Sequence, residues 1–203
     1  SASTSTLTCS TTSSKLTASG GGTYKWSTGA TTAAITVNSA ATYKVTVTAS
    51  NGCTNTASKA ISSNTTAPSP SISASTSTLT CSTTSSKLTA SGGDSYSWST
   101  GASTAAITVN SAATYKVTVT DATNGCTGTA SQAISSNTTA PTAGITNNDG
   151  TTELTCSQKS ISLTATGGDS YSWSNGDNTA STTISAAGKY TVTVTDATNG
   201  CTD

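Results

Sequence analysis

The six cysteines are the residues whose type and spacing could most readily do chemistry in this 203-residue chain. They form three pairs, with members 44 residues apart in the first pair and 45 apart in the others: Cys9/Cys53, Cys81/Cys126 and Cys156/Cys201. The chain has no His and no CxxC motif, so these cysteines favour disulfides over a zinc site. An oxidising, extracellular compartment follows.

The constant spacing within each pair favours a disulfide inside each pair: Cys9 with Cys53, Cys81 with Cys126, and Cys156 with Cys201. Closing a loop of about 45 residues stabilises the folded state by roughly 4 kcal/mol in the chain-entropy model. An alternative stays open. The two cysteines of one pair could lie at opposite ends of a folded unit, and Cys9 would then reach Cys126 and join successive units along the chain.

Other kinds of chemistry find little support in these residues. A catalytic nucleophile needs a base, or a pair of acids, held in one geometry. The chain offers no His, and none of its carboxylates recurs at the same position in all three copies. We therefore predict no enzyme, no catalytic residues and no cofactor.

Two polar motifs are weak site candidates. Asp149 and Glu153, in the segment NNDGTTEL, are the best local pair for calcium, but two carboxylates make a poor site and a turn is the favoured interpretation. No metal site is therefore predicted. Asn64 and Asn137 each open an NTT tripeptide, which is an acceptor motif for N-linked glycans.

The cysteines belong to a repeated unit of about 72 residues. Cys9, Cys81 and Cys156 recur at intervals of 72 and 75, and so do the three tryptophans. Residues 1–48 match residues 73–120 at all but four positions. We predict three domains, at 1–68 (copy one), 69–141 (copy two) and 142–203 (copy three, truncated at its last strand), and interpret the chain as a piece of a longer array.

The composition is dominated by small polar residues. Ser and Thr account for 88 of the 203 residues, only 8% are charged, and the net charge is zero. Disordered segments usually carry a high net charge, so this balance favours a folded chain. We expect no nucleic-acid partner, and no apolar run approaches the roughly 20 residues that a membrane span requires.

Strand periodicity accounts for the apolar residues. In TYKVTVT (42–48), Tyr43, Val45 and Val47 alternate with polar residues, which predicts a strand with one buried face. Six or seven such strands per copy predict an all-β tandem array of immunoglobulin-like antiparallel sandwiches, each with one disulfide. The expected core anchors are one Trp and one Tyr per copy: Trp26, Trp98, Trp173, Tyr43, Tyr115 and Tyr190.

Two local motifs add detail to this fold. The segment NSAATY is similar to the corner of immunoglobulin-like domains, where a Tyr hydroxyl bonds back to the preceding loop. The segments STG (27–29) and SNG (174–176) follow the Trp and predict a hairpin turn, because Asn and Gly tolerate positive φ.

The combined pattern LTC, KLTASGG, YSWSTGA, AAITV and ATYKVTVTDATNGCT resembles a known family across all three copies. It resembles the immunoglobulin-like and SprB-type repeats of giant cell-surface adhesins in gliding Bacteroidota, which are exported by the type IX system. The resemblance implies a secreted, extracellular filament or stalk at the cell surface, active in adhesion and gliding motility, with no catalytic residues to carry over.

Two functions from different classes remain compatible with the sequence. The first is a semi-rigid structural stalk of a surface adhesin or filament, whose partners are further repeats of the same chain or other copies. The second is an array of glycan-binding modules with a shallow site for surface polysaccharide on each repeat.

Overall fold

A computed structural model describes all 203 residues and shows an all-β protein with 18 strands and no helix. In copy one the strands are β1 (Thr6–Thr8), β2 (Ser14–Thr17), β3 (Thr23–Trp26), β4 (Ala34–Val37), β5 (Ala41–Thr48) and β6 (Thr54–Asn64). In copy two they are β7 (Ser71–Ala74), β8 (Thr78–Thr80), β9 (Ser86–Ser91), β10 (Ser95–Trp98), β11 (Ala106–Val109), β12 (Ala113–Thr120) and β13 (Thr127–Asn137). In copy three they are β14 (Gly144–Asn147), β15 (Ile161–Thr166), β16 (Ser170–Trp173), β17 (Ser181–Ile184) and β18 (Val192–Thr195).

The period of two in the sequence explains these strands. In β5, Tyr43 and Val45 are buried while Lys44 between them is exposed. Strand β9 alternates in the same way, with Leu88 and Ala90 buried and their neighbours exposed. One face of each strand therefore supplies the core and the other meets solvent.

Copy one shows the sandwich most completely. One sheet has the order β1-β6-β5-β3, and the second pairs β2 with β4. The side chains between them form one cluster of buried residues: Leu7, Leu16, Trp26, Val37, Tyr43, Val45 and Ile61. The predicted all-β sandwich fold is confirmed.

One edge of this sheet departs from the predicted antiparallel pattern. Strand β1 pairs with β6 in parallel, with Thr6 opposite Ser62, and β8 pairs in parallel with β13. Strands β1 and β8 are only three residues long, so the chain can join the sheet edge there, leave it again and cross to the other sheet.

Copy three has two smaller sheets, with the orders β14-β15-β17 and β16-β18. One cluster of buried residues in its core consists of Ile161, Leu163, Ala165 and Trp173. Tyr190 lies just before β18 and is half-buried, packed against this cluster.

The turn after each Trp is real, but the predicted hairpin is wrong. Gly29 adopts φ +91° and Gly176 φ +95°, and each donates its N–H to the carbonyl of the Trp three residues earlier. The strands on either side do not pair: β3 pairs with β5, and β4 pairs with β2. The turn carries the chain from one sheet to the other, because turn chemistry sets only the local reversal.

Five of the six predicted aromatic anchors are buried in the core, and Tyr190 is half-buried at its edge. Trp26, Trp98 and Trp173 are at most 5% exposed, and each indole N–H donates to the carbonyl six residues later. The Tyr43 hydroxyl donates to the Ser39 carbonyl at 2.9 Å. Tyr115 and Tyr190 make the same bond, so the predicted tyrosine corner is confirmed.

The chain divides into two compact units. The first contains residues 1–72, 89–105 and 116–131, and the second contains 73–88, 106–115 and 132–203. The sequence of copy two contributes to both units, and the division into domains at 68 and 141 stays a prediction. The structure has no helix, hence none long and apolar enough to cross a membrane.

Leu16 provides a test of this core. Its side chain is 1% exposed in the copy-one cluster. We expect Leu16→Ala to destabilise the protein by about 2–5 kcal/mol, because it removes buried apolar contacts and leaves a cavity. The urea unfolding midpoint of the oxidised protein measures this loss. Lys15→Thr, on the exposed face of the same strand, is the control, and an equal shift in both variants would contradict the assigned faces.

Candidate functional site

The disulfides join one copy to the next. Cys9 bonds to Cys126 and Cys81 bonds to Cys201, with Cα atoms 5.0 Å apart in both bonds. The favoured pairing inside each copy is therefore wrong, and the alternative of Cys9 with Cys126 is confirmed. The expectation of one disulfide per copy is also wrong, because Cys53 and Cys156 are exposed thiols.

The positions of Cys9 and Cys53 relative to the strands explain why they do not bond to each other. Cys9 comes directly after β1, whereas Cys53 lies in the loop between β5 and β6. Spacing in the sequence could not distinguish pairing within a copy from pairing between copies. Because the copies repeat, the bonded cysteines of neighbouring copies also lie at nearly constant separations, 117 and 120 residues.

A buried asparagine organises the first joint. Asn124 is 1% exposed and its Oδ1 accepts the N–H of Cys126 at 2.8 Å. Its Nδ2 donates to Asn64 Oδ1 at 3.2 Å and to the Thr66 carbonyl at 3.0 Å. One amide side chain thus holds both the cysteine loop of copy two and the chain that leaves copy one.

The residue after Cys9 completes this joint. The Ser10 N–H donates to the Asn124 carbonyl at 3.3 Å. Gly125 adopts φ +70°, and a Cβ there would lie 2.7 Å from the Ser10 Cβ. Glycine is required at this position both for the backbone conformation and for the close approach.

The second joint repeats the first. Asn199 is 2% exposed, accepts the N–H of Cys201, and donates to Asn137 Oδ1 and the Thr139 carbonyl. The Ser82 N–H donates to the Asn199 carbonyl at 3.4 Å. We call this arrangement of disulfide, buried Asn and Ser the staple; its members are Cys9, Ser10, Asn124 and Cys126 in one case, and Cys81, Ser82, Asn199 and Cys201 in the other.

The segment that leads into copy two lies directly against glycine backbone. A Cβ on Gly92 would lie 2.7 Å from the Ser69 carbonyl oxygen, and one on Gly128 would lie 2.2 Å from that of Pro68. Copy three has the same feature at Gly167, where a Cβ would lie 1.9 Å from the Thr142 carbonyl oxygen. These glycines leave room for the connecting segment.

Acidic side chains accept backbone hydrogen bonds in the loops that precede the bonded cysteines. The Asp94 carboxylate accepts the N–H of Ala122 at 2.8 Å, and Asp121 accepts the N–H of Thr123 at 2.7 Å. Asp169 and Asp196 do the same in copy three. These bonds shape the loop that presents the bonded cysteine.

The calcium candidates do not lie in a cluster of three or more ligating residues. The Asp149 carboxylate accepts the Ser162 N–H at 2.6 Å, and Glu153 is exposed in the segment before Cys156.

The glycan candidates Asn64 and Asn137 are exposed, and the amide oxygen of each accepts a hydrogen bond from the buried Asn of a staple. Glycosylation at these positions stays a prediction.

Sequence reasoning missed Asn124 and Asn199 as joint residues. The tetrapeptide TNGC occurs at both positions, and its Asn-Gly pair by itself predicts only a turn. The available signal was the combination of a repeated Asn with a cysteine two residues later, since a turn alone would tolerate Asp or Gly in place of the Asn.

Comparison with known proteins places the fold. No family model matches the sequence, and no curated protein matches it. One similar solved structure is a Ca2+-stabilised adhesin with which an Antarctic bacterium reaches out and binds ice; it is 19% identical, with a TM-score of 0.56 over 94% of this chain. This chain spans 66% of that structure.

A second similar structure comes from a 1.5-MDa bacterial ice-binding adhesin, studied for its retention at the host cell surface. It is 17% identical, with a TM-score of 0.52, and the match covers 98% of this chain and 90% of the other. Likeness at this level of identity shows that the three proteins share a fold.

Asn124→Asp tests the role of the buried amide. The exchange keeps the Oδ1 acceptor but replaces the Nδ2 donor with a carboxylate oxygen facing the Asn64 and Thr66 oxygens. We expect a loss of stability of about 2–4 kcal/mol, measured by urea unfolding of the oxidised protein.

The matched control is Asn51→Asp, at the equivalent position in copy one. Asn51 is exposed and its Oδ1 accepts the N–H of Cys53 at 3.1 Å, a bond that Asp retains. We expect a change below about 0.5 kcal/mol. Equal effects at the two positions would contradict the role of the staple.

Proposed function

We propose that this chain is a repeat segment of a large secreted cell-surface adhesin, in which it acts as a semi-rigid stalk. The observation that carries the proposal is the placement of the disulfides. The two covalent loops, from residue 9 to 126 and from 81 to 201, overlap, so every residue between 9 and 201 lies inside at least one of them.

Overlapping loops limit how far the chain can be drawn out. The shortest covalent path runs from the N-terminus to Cys9, across to Cys126, back to Cys81, and across to Cys201. That path contains about 60 residues, or roughly 200 Å when fully extended, against about 700 Å for the whole chain. A stalk under tension benefits from such a limit.

Non-covalent contacts support the same role. The buried Asn of each staple binds the segment that leaves the preceding copy. Prolines at 68 and 70 restrict the backbone of the first connecting segment. These features oppose free swinging of one copy on the next, as expected of a spacer and not of a flexible linker.

The compartment and the fold agree with a surface location. Disulfides persist in oxidising surroundings, outside the reducing cytoplasm. The two similar structures are domains of bacterial adhesins, which supports cell-surface adhesion as the role of this fold. The sequence resemblance to gliding adhesins extends the proposal to type IX export, gliding motility and assembly into filaments.

Force spectroscopy on single molecules tests the stalk. Pulled by its ends, the oxidised chain should stop extending at roughly 200 Å, and after reduction it should reach about 700 Å. The Cys9→Ser/Cys126→Ser double variant should extend further than the oxidised wild type because one covalent loop is gone. An oxidised wild-type chain that extends as far as the reduced one would contradict the proposal.

Attachment of cells under flow tests the adhesin role. Cells that carry the Cys9→Ser/Cys126→Ser variant should attach in still medium but detach at lower shear than wild-type cells. Removal of the whole protein should abolish attachment, and undiminished attachment would contradict the proposal.

The glycan-binding alternative gains support if the isolated chain binds surface polysaccharide and the Lys25→Ala variant does not. Lys25 is an exposed side chain in β3.

A further inference from the structure

Two of the Asn-Gly pairs in this chain lie inside the staples, as Asn124 with Gly125 and Asn199 with Gly200. An Asn followed by Gly is especially prone to deamidation. Glycine has no Cβ to hinder its backbone nitrogen when that nitrogen attacks the amide carbon of the Asn side chain. Deamidation at either position removes the amide that holds the joint.

The closed staple opposes this reaction at the Asn124 side chain. Nδ2 donates to Asn64 Oδ1 at 3.2 Å and to the Thr66 carbonyl at 3.0 Å, and Oδ1 accepts the Cys126 N–H at 2.8 Å. The reaction expels Nδ2 as ammonia, so both of its hydrogen bonds must break. Asn124 is 1% exposed, and solvent is not at hand to replace those bonds.

The attacking nitrogen is engaged as well. The Gly125 N–H donates to the Asp121 carbonyl at 2.8 Å, so the proton that the reaction must remove is held in a hydrogen bond. Gly125 lies against Ser10, which restricts movement of the backbone there. In the second joint the Gly200 N–H donates to the Asp196 carbonyl at 2.8 Å. Deamidation therefore requires the cysteine loop to open first.

The disulfide is the part of the staple that a reagent in solution can break. Cys9 is exposed whereas Cys126 is 1% exposed, so a small thiol approaches the bond from the Cys9 side. Cys81 and Cys201 differ in the same way. After reduction the loop before β13 is no longer joined covalently to the turn after β1, and its hydrogen bonds can open.

We propose that Asn124 and Asn199 are modification sites that a closed staple protects and that deamidate after its disulfide has been reduced. Deamidation then prevents the joint from closing again, because a carboxylate at position 124 faces the oxygens of Asn64 and Thr66 and cannot donate to them. A joint that stays open long enough is not restored by oxidation. The proposal goes beyond the stalk role and does not rest on it.

The steps balance with a thiol and water as the co-reactants. Two small thiols reduce the bond between Cys9 and Cys126, are themselves oxidised to one disulfide, and leave two protein thiols. The Gly125 nitrogen then bonds to Asn124 Cγ, the Cγ–Nδ2 bond breaks, and the Gly125 amide proton leaves with Nδ2 in ammonia. One water opens the resulting succinimide at either carbonyl, which gives aspartate or isoaspartate.

Two double variants test the protection one joint at a time. Cys9→Ser/Cys126→Ser removes the first disulfide and keeps the second, and Cys81→Ser/Cys201→Ser does the reverse. Both variants and the oxidised wild type are incubated at mildly alkaline pH in water enriched in heavy oxygen. Peptide mapping by mass spectrometry then counts the new carboxylates at each Asn-Gly pair.

We expect Asn124 to deamidate about tenfold faster in the first variant than in the wild type, the ratio given by an opening free energy lower by about 1.4 kcal/mol. Asn199 should be unchanged in that variant and accelerated in the other. Asn175, whose amide donates to Asp177 and Thr182 outside the staples, is the internal reference and should be unchanged in both. Equal acceleration of Asn124 and Asn199 in one variant, or none at either, would overturn the proposal.

Reduction followed by reoxidation tests the irreversible step. The chain used carries Cys53→Ser and Cys156→Ser, so that only the two joint disulfides can form. After long reduction and transfer to oxidised glutathione, peptides bonded between positions 9 and 126 should carry the deamidated residue about tenfold less often than peptides with free thiols. Chains reduced only briefly should regain both disulfides. An equal share of the deamidated residue in bonded and free peptides would contradict the proposal.

Discussion

The disulfide between Cys9 and Cys126 determines where several other groups must lie. It holds the turn after β1 against the loop before β13, so the backbone at Gly125 must leave room for Ser10. The carbonyl of Asn124 then meets the Ser10 N–H, and its side chain is enclosed and must be fully hydrogen-bonded. The connecting chain supplies the acceptors at Asn64 and Thr66, and the same set of contacts recurs around Cys201.

The small and partly polar core explains why disulfides between copies are useful for stability. The chain contains no Phe and no Met, and Ser14 and Ser86 are among its fully buried side chains. Each of these hydroxyls donates to a Thr carbonyl, so they are satisfied, but they contribute little apolar burial. Covalent closure of loops longer than 100 residues adds stability that the core does not supply.

The parts of the fold that depend on local pattern could be predicted from the sequence. Alternation in TYKVTVT predicts the strand and its buried face, and the Tyr corner and buried Trp follow from single motifs. The disulfide partners could not be predicted, since a repeated sequence offers the same spacing to partners within a copy and in the next. The parallel pairing of β1 with β6 and the sheet-changing turn after Trp26 depend on long-range packing that no short motif reports.

The overlap of the two covalent loops also bears on how the chain withstands proteolysis. A single cut anywhere between Cys9 and Cys201 leaves both fragments joined through at least one disulfide. Exposed loops rich in Gly and Ser are the places where proteases cut most readily, and this chain has many of them. A protein that is nicked outside the cell would therefore keep its two ends connected until a second cut or a reductant separated them.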